Sequence, residues 1–446
     1  MTQRFAYLGQ RAILTGLVAI AMAACSSGGP YSVDMMPAPD VYDGGTIDPF
    51  ETTGFVEAPP QFPILYATDR APIPEGEEEK GHRFYGNTRG HILRVGEARI
   101  EAGMQGMSWE EARQVTLLKT RGENYPLKVA GVTEYGVVPR SLTAFYDPDD
   151  FDNEPTERFV REINARMAAT RSKDVVVYVH GYKVNFENPI LVASELWHFL
   201  GYKGAFVAYS WPSTPKTLAY VSDLEDATNA ARNFREFLWY IASETEVERI
   251  HVIGYSAGTR MVTRAIADWA LQARQMDVTK EEIVAKTKLH HTMLIGSDVD
   301  KHIFAGYLAD GWFRTMNRFT VYTSGGDAAL GMSQRVFGKS RVGQSIANPS
   351  SMSPHFVELL EKNPNFMIVD VTDAQGSLEG NGHSYFRSSP WVSSDVLMSI
   401  FYDLAPDERG LVRDPNYPIW SFPEDYVDRL RGVLADKGVI LSNSAE

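Results

Sequence analysis

The chain has 446 residues, 44% hydrophobic and 22% charged, which is enough for one large domain or two and for a sizeable core. A formal net charge of −14 makes the surface acidic, and no dense Lys/Arg run offsets it, so nucleic acid is excluded as a partner. Cys25 is the only cysteine, which excludes an intrachain disulfide and any multi-cysteine metal site.

In chain order, Arg4 and Arg11 precede an uncharged apolar run, 12–24. At about 13 residues it is shorter than the roughly 20 a membrane-spanning helix needs, and it has the make-up of a secretion signal. Met22-Ala23-Ala24-Cys25, followed by Ser26-Ser27, resembles a bacterial lipobox, with Met22 where Leu is more usual. That resemblance implies lipidation of Cys25 as the mature N-terminus. Ser26 in place of Asp resembles the sorting signal for the outer membrane. The expected location is the cell envelope, lipid-anchored through Cys25 at the outer membrane and facing the periplasm. Residues 1–25 are thus expected as a signal peptide. Residues 26–61, rich in Gly, Pro, Ser and Asp, are expected as a flexible tether.

The body starts near Phe62. A strand is predicted over 62–66, an exposed acidic loop over 72–94, and short antiparallel strands over 95–100, 129–132 and 142–146. Residues 62–150 therefore read as an N-terminal β-rich extension. From 151 to 405 strand and helix alternate. Helices are expected over 157–170, 188–200, 224–243, 258–275, 303–316 and 394–404, and strands over 175–179, 205–210, 250–253, 291–295, 319–323 and 366–371. The run 175–179 (VVVYV) is apolar throughout, as a strand covered on both faces must be. The expected class is α/β, with a mostly parallel sheet, helices on both faces, and ligands beyond the carboxyl ends of the strands. Residues 406–446 are expected to hold a helix over 423–437 and a loose end.

Gly254-Tyr255-Ser256-Ala257-Gly258 matches G-x-S-x-G between a predicted strand and a predicted helix, the context that motif requires. Such a turn lifts a serine hydroxyl into the cleft above the sheet, and side chains at the two glycines would collide with the neighbouring strand and helix. Ser256 is the candidate nucleophile. Serine needs a base, and the base needs an orienting carboxylate. Downstream lie His290, His291, His302, His355 and His383. Of these, His383 in Gly380-Asn381-Gly382-His383 follows the last core strand at its carboxyl end. Asp327, reached through Ser324-Gly325-Gly326, is the preferred acid. Asp298 and Asp300 are alternatives, with helix capping as their other role. His180-Gly181-Tyr182 ends an earlier strand. In the α/β-hydrolase plan the backbone N–H groups of Tyr182 and of Ala257 would hold an oxyanion, while the His180 side chain is expected in the core. Trp211 lines a pocket or anchors a turn. Tyr220, Phe304, Tyr307, Trp312 and Phe313 read as core packing ahead of an acyl pocket. Gly338-Lys339-Ser340 is not a phosphate loop, because Ser333 stands where that motif needs glycine. No metal motif is present and no cofactor is expected.

Several stretches together resemble one bacterial family, the α/β-hydrolases of domain of unknown function 900, loosely esterase- or lipase-like. They are Tyr66-Ala67-Thr68-Asp69-Arg70, residues 175–182 with Phe186-Glu187-Asn188, Ser210-Trp211-Pro212-Ser213, Gly254 to Gly258, Gly326-Asp327-Ala328-Ala329-Leu330 and Gly382-His383-Ser384-Tyr385. The resemblance implies Ser256, Asp327 and His383 as a triad and implies no substrate. The turn reads GYSAG where His and Met are more usual, and Lys183-Val184 interrupts the usual Asn-rich stretch. The expected activity is a serine hydrolase, carboxylesterase- or lipase-like, acting on a small-molecule or lipid ester. Alternatives are an acyltransferase with the same residues and a non-catalytic envelope scaffold.

Overall fold

Apolar runs become the strands of one 12-stranded sheet among the described residues. The computed structural model describes residues 31–45, 47–74, 84–152, 154–216, 220–346, 348 and 352–438. The expected signal segment with Cys25, residues 26–30, the acidic stretch 75–79 and the end 439–446 lie outside them.

The strands are β1 (Ser32–Asp34), β2 (Ile64–Pro72), β3 (Tyr85–Ala102), β4 (Pro126–Val137), β5 (Asp174–Val179), β6 (Ala205–Ser210), β7 (Arg249–Tyr255), β8 (Leu289–Ile295), β9 (Arg318–Thr323), β10 (Phe366–Asp370), β11 (Val412–Arg413) and β12 (Ile419–Ser421). Their order is β1-β4-β3-β2-β6-β5-β7-β8-β9-β10-β12-β11. Every neighbouring pair from β2 to β12 is parallel, and antiparallel strands finish both edges. The sheet is thus mostly parallel with helices on both faces, the α/β-hydrolase class expected from sequence.

Alternate residues of β5 feed two cores, because successive side chains of a strand point to opposite faces. Val175 and Val177 pack with Phe159, Phe234 and Met261 from helices Glu154–Ala169, Tyr220–Glu244 and Gly258–Gln275. Val176 and Tyr178 pack with Leu196, Val396 and Leu430 from helices Glu187–Phe199, Pro390–Phe401 and Tyr426–Asp436.

Four expectations are corrected. Residues 31–61 are not a tether. Met36, Ala38, Val41, Tyr42 and Phe50 are buried, and β1 pairs with β4. Arg431 near the other end of the chain donates to the backbone oxygens of Asp40, at 2.8 Å, and of Asp43, while Trp391 Nε1 donates to Asp40 Oδ2 at 3.1 Å. The stretch 142–146 is not a strand, since β4 ends at Val137 and a short 3-10 turn, Pro139–Ser141, follows. Conversely, 85–94 is strand and not loop, because β3 runs on through 18 residues against β2 and β4. The C-terminal segment adds β12 beside β10 as well as a helix.

Candidate active site

Five neighbouring strand ends, those of β5, β7, β8, β9 and β10, supply the site. β7 ends at Tyr255 and helix Gly258–Gln275 starts three residues later. Between them Ser256 has φ 54°, a left-handed backbone that costs a non-glycine residue about 1–2 kcal/mol. Its N–H donates to Ile295 O (2.9 Å), and its own oxygen accepts from Thr259 N (3.1 Å) and Asp298 N (3.4 Å). The tip of β8 therefore holds the strained turn in place. The two glycines of the motif are not equivalent. A Cβ on Gly258 would lie 2.1 Å from His180 O, whereas on Gly254 its nearest neighbour would be Val262 Cγ2 at 3.1 Å. The expected collision is severe only on the helix side.

The structure brings Ser256, His383 and Asp327 together across 127 and 56 residues of sequence. His383 Nε2 lies 2.8 Å from Ser256 Oγ, and its Nδ1 lies 2.6 Å from Asp327 Oδ2. An ionised carboxylate only accepts, so Nδ1 carries the proton and Nε2 is left to accept from the serine hydroxyl. Asp327 is fully buried, and its other oxygen accepts from Leu330 N at 2.9 Å, capping helix Ala328–Phe337. One carboxylate thus orients both a helix and an imidazole.

His383 is held from several sides. Its N–H donates to Asn381 Oδ1 (3.2 Å), and Asn381 O accepts from Ala328 N (3.0 Å), tying the histidine loop to the aspartate loop. Below the ring, Gly296 at the tip of β8 has φ 54°, and a Cβ there would sit 3.1 Å from His383 Cε1. The buried Tyr385 hydroxyl accepts from Gly296 N (2.6 Å) and donates to Tyr322 O (3.0 Å), pinning the loop to the ends of β8 and β9. The Tyr255 ring packs 5.1 Å from the imidazole. Tyr385 is quoted from sequence without a role, and Gly296 is not singled out there. Only the tyrosine two residues past the histidine hinted at them.

The loop after β5 carries Tyr182. A Cβ on Gly181 would fall 2.8 Å from Ser256 Cβ, so this backbone passes directly beside the serine. Ala257 sits at the start of its helix, where the first N–H groups lack intrahelical acceptors. His180 is a core residue as expected. Its ring stacks on Trp211 at 4.9 Å, and its two nitrogens lie 2.6 and 3.1 Å from Gly181 O and Trp211 O, while burial, then the nearby Arg70, hold its pKa well below the usual imidazole range. Trp211 is fully buried and donates to His180 O, an anchor and not a pocket wall. Arg70, quoted from sequence without a role, is wholly buried. It donates from Nε to Ser210 Oγ (3.0 Å), from Nη1 to Ser213 O (3.1 Å), Gly86 O and Asn87 Oδ1, and from Nη2 to Val184 O (3.1 Å). It joins the ends of β2 and β6 to the Tyr182 loop, and burial lowers its pKa to about 9.

The alternative acids stand elsewhere. Asp298 is buried between Arg260 and Arg341, 3.2 Å from each, and accepts from Ser333 Oγ. Asp300 caps helix Lys301–Ala309 through His302 N and Ile303 N. His290 bonds Asp403 and His291 bonds Thr320, both on β8 and toward its amino end, and His302 and His355 are exposed. Phe304 and Trp312 lie in the core. Tyr307 and Phe313 are half-buried against it. The side chain of Tyr220 is outside the described part.

Among curated proteins the chain is similar to uncharacterized protein alr1448 of Nostoc sp. (strain PCC 7120), 32% identical over 84 residues. That match covers 19% of this chain and 22% of the relative, so the chain spans under a quarter of that protein's length. No solved structure matches. The family model described as an alpha/beta hydrolase of unknown function (DUF900) matches residues 156–399, more than half of the chain, and the protein belongs to that family.

Proposed function

We propose that the protein is a serine hydrolase that cleaves an ester through an acyl-enzyme. The observation that carries this reading is the continuous bonded line from Asp327 through His383 to Ser256, with bonds of 2.6 and 2.8 Å. His383 Nε2 takes the Ser256 proton as Oγ attacks the ester carbonyl. Asp327 stabilises the imidazolium that forms. The N–H groups of Tyr182 and Ala257 receive the oxyanion, each worth about 3 kcal/mol of transition-state stabilisation in comparable sites. The imidazolium then protonates the leaving alcohol, and water, activated in turn by His383, releases the acid. A scaffold that had lost activity would have no reason to keep Ser256 in a strained turn. The reading also includes lipidation of Cys25 at the outer membrane, supported by the lipobox-like stretch.

Labelling with a fluorophosphonate probe tests the nucleophile. Wild type is expected to label and to hydrolyse a soluble short-chain ester, while Ser256→Ala should do neither, with turnover down at least roughly a thousandfold. Equal labelling of the variant would refute the assignment. Product analysis with an added alcohol separates hydrolysis from acyl transfer.

A further inference from the structure

We infer that the face carrying Ser256 lies against the bilayer that holds Cys25, and that the enzyme draws its ester from that bilayer. This rests on the hydrolase and lipid-anchor readings above and deepens them. A long tether would have let the body turn freely at a distance from the membrane. The packing of residues 31–61 removes that freedom. Six residue steps separate Cys25 from Tyr31, a reach of at most about 21 Å.

Where the described chain starts decides which face is held. Tyr31 Oη accepts from Asn188 Nδ2 at 2.7 Å, at the first turn of the helix that follows the Tyr182 loop. Asp34 O accepts from Arg387 Nη2 at 3.1 Å, four residues beyond His383. The first described residues therefore lie against the two helices that directly follow the Tyr182 and His383 loops flanking Ser256.

The rim there carries exposed apolar side chains among polar ones such as Glu379 and Asn381. Leu378 is 57% exposed and overlies both Gly326 and Gly382, the residues just before Asp327 and His383. A Cβ built on those glycines would meet its Cδ2 at 2.5 and 3.7 Å. Met332 and Val336, 52% and 61% exposed, stand one turn apart on the helix that Asp327 caps. Exposed large apolar side chains around a cleft suit a surface that meets lipid. A net charge of −14 gives the body no electrostatic pull toward an anionic bilayer, so the anchor must supply the attachment.

The single native cysteine makes the orientation directly measurable. Full-length lipidated protein carrying Val336→Cys, or Lys173→Cys at the opposite end of the sheet, is labelled with an environment-sensitive dye and anchored in phosphatidylcholine vesicles containing spin-labelled lipid. The Val336→Cys label is expected to be quenched at least fivefold more than the Lys173→Cys label. Equal or reversed quenching overturns the proposal, as does failure of wild type to incorporate palmitate at Cys25. Insertion of a 30-residue Gly/Ser linker after Ser27 supplies the functional arm. Turnover of a vesicle-embedded ester should fall about tenfold while turnover of a soluble ester is unchanged. Loss of neither means that the site does not depend on being held at the surface. Absence of soluble-ester turnover in every form would sink the hydrolase reading instead, and the quenching pattern would still decide the orientation.

Discussion

Asp327 does two jobs with two oxygens, and a substitution separates them. In Asp327→Asn the amide oxygen can still cap Leu330 N, while the NH₂ group faces His383 Nδ1 and drives the proton onto Nε2, the wrong tautomer for accepting from Ser256. Turnover is expected to fall roughly a thousandfold or more with little change in the thermal midpoint, checked by ester kinetics beside a melting curve. Tyr385 acts one step further out. Tyr385→Phe keeps the ring but leaves Gly296 N–H and Tyr322 O without the hydroxyl that joins them. Small misplacements of a base are costly, so kcat should drop about tenfold with KM nearly unchanged. An equal fall in folded fraction would instead mark the hydroxyl as merely structural. The triad was legible because each member follows a buried apolar strand through a glycine-rich turn. The roles of Tyr385, Gly296 and Arg70 were not, because the strand ends and loops that they join lie far apart in sequence, as Arg70 and Ser213 do at 143 residues, and nothing local announces them.

Among the elements, the strand–turn–helix around Ser256 shows how tightly two backbones meet. Gly258→Ala would place a methyl against His180 O, and Gly254→Ala would press only on Val262 Cγ2, a side-chain end that can shift. The first variant should lose about 1–3 kcal/mol of stability and most activity, and the second much less of both, as read from urea midpoints and esterase rates. The parallel core strands were readable because a strand covered on both faces is apolar throughout, as at 175–179, where neighbours of every kind demand the same chemistry. The antiparallel edge was harder. Residues 142–146 have β-forming side chains but follow a turn that ends β4, and residues 85–94 look polar yet pair along β2. Strand pairing there is set by distant partners, which composition does not report.

At the scale of the whole molecule, buried histidines cost stability in acid. Burial keeps His180, His198 and His291 neutral when folded, with His198 lowered to about 3, whereas in the unfolded chain they take up protons near pH 6.5, about the free value. Below that pH the unfolded state binds more protons. Stability that is full above about 6.5 is therefore lost progressively as pH falls toward the folded values. Burial also raises the carboxyl groups of Asp69, to about 7, and of Asp223, to about 6, and their proton uptake in the folded state offsets part of that loss. His198→Gln should therefore lose less stability than wild type between pH 7 and pH 5, read from urea midpoints, and an equal or larger loss would contradict the histidine contribution. The tether was misread for a related reason. Its composition is that of a loose linker, but Met36, Val41, Tyr42, Ile47 and Phe50 are buried, and Asp40 and Asp48 bond to residues far off in sequence. The clasp between Asp40 and Arg431 spans 391 positions. Closing a loop of that length costs roughly 5 kcal/mol of chain entropy before any constant term. The clasp therefore closes only once Arg431 has been made, so the opening segment, whose strand can pair with β4 much earlier, gains its last contacts when the polypeptide is nearly complete.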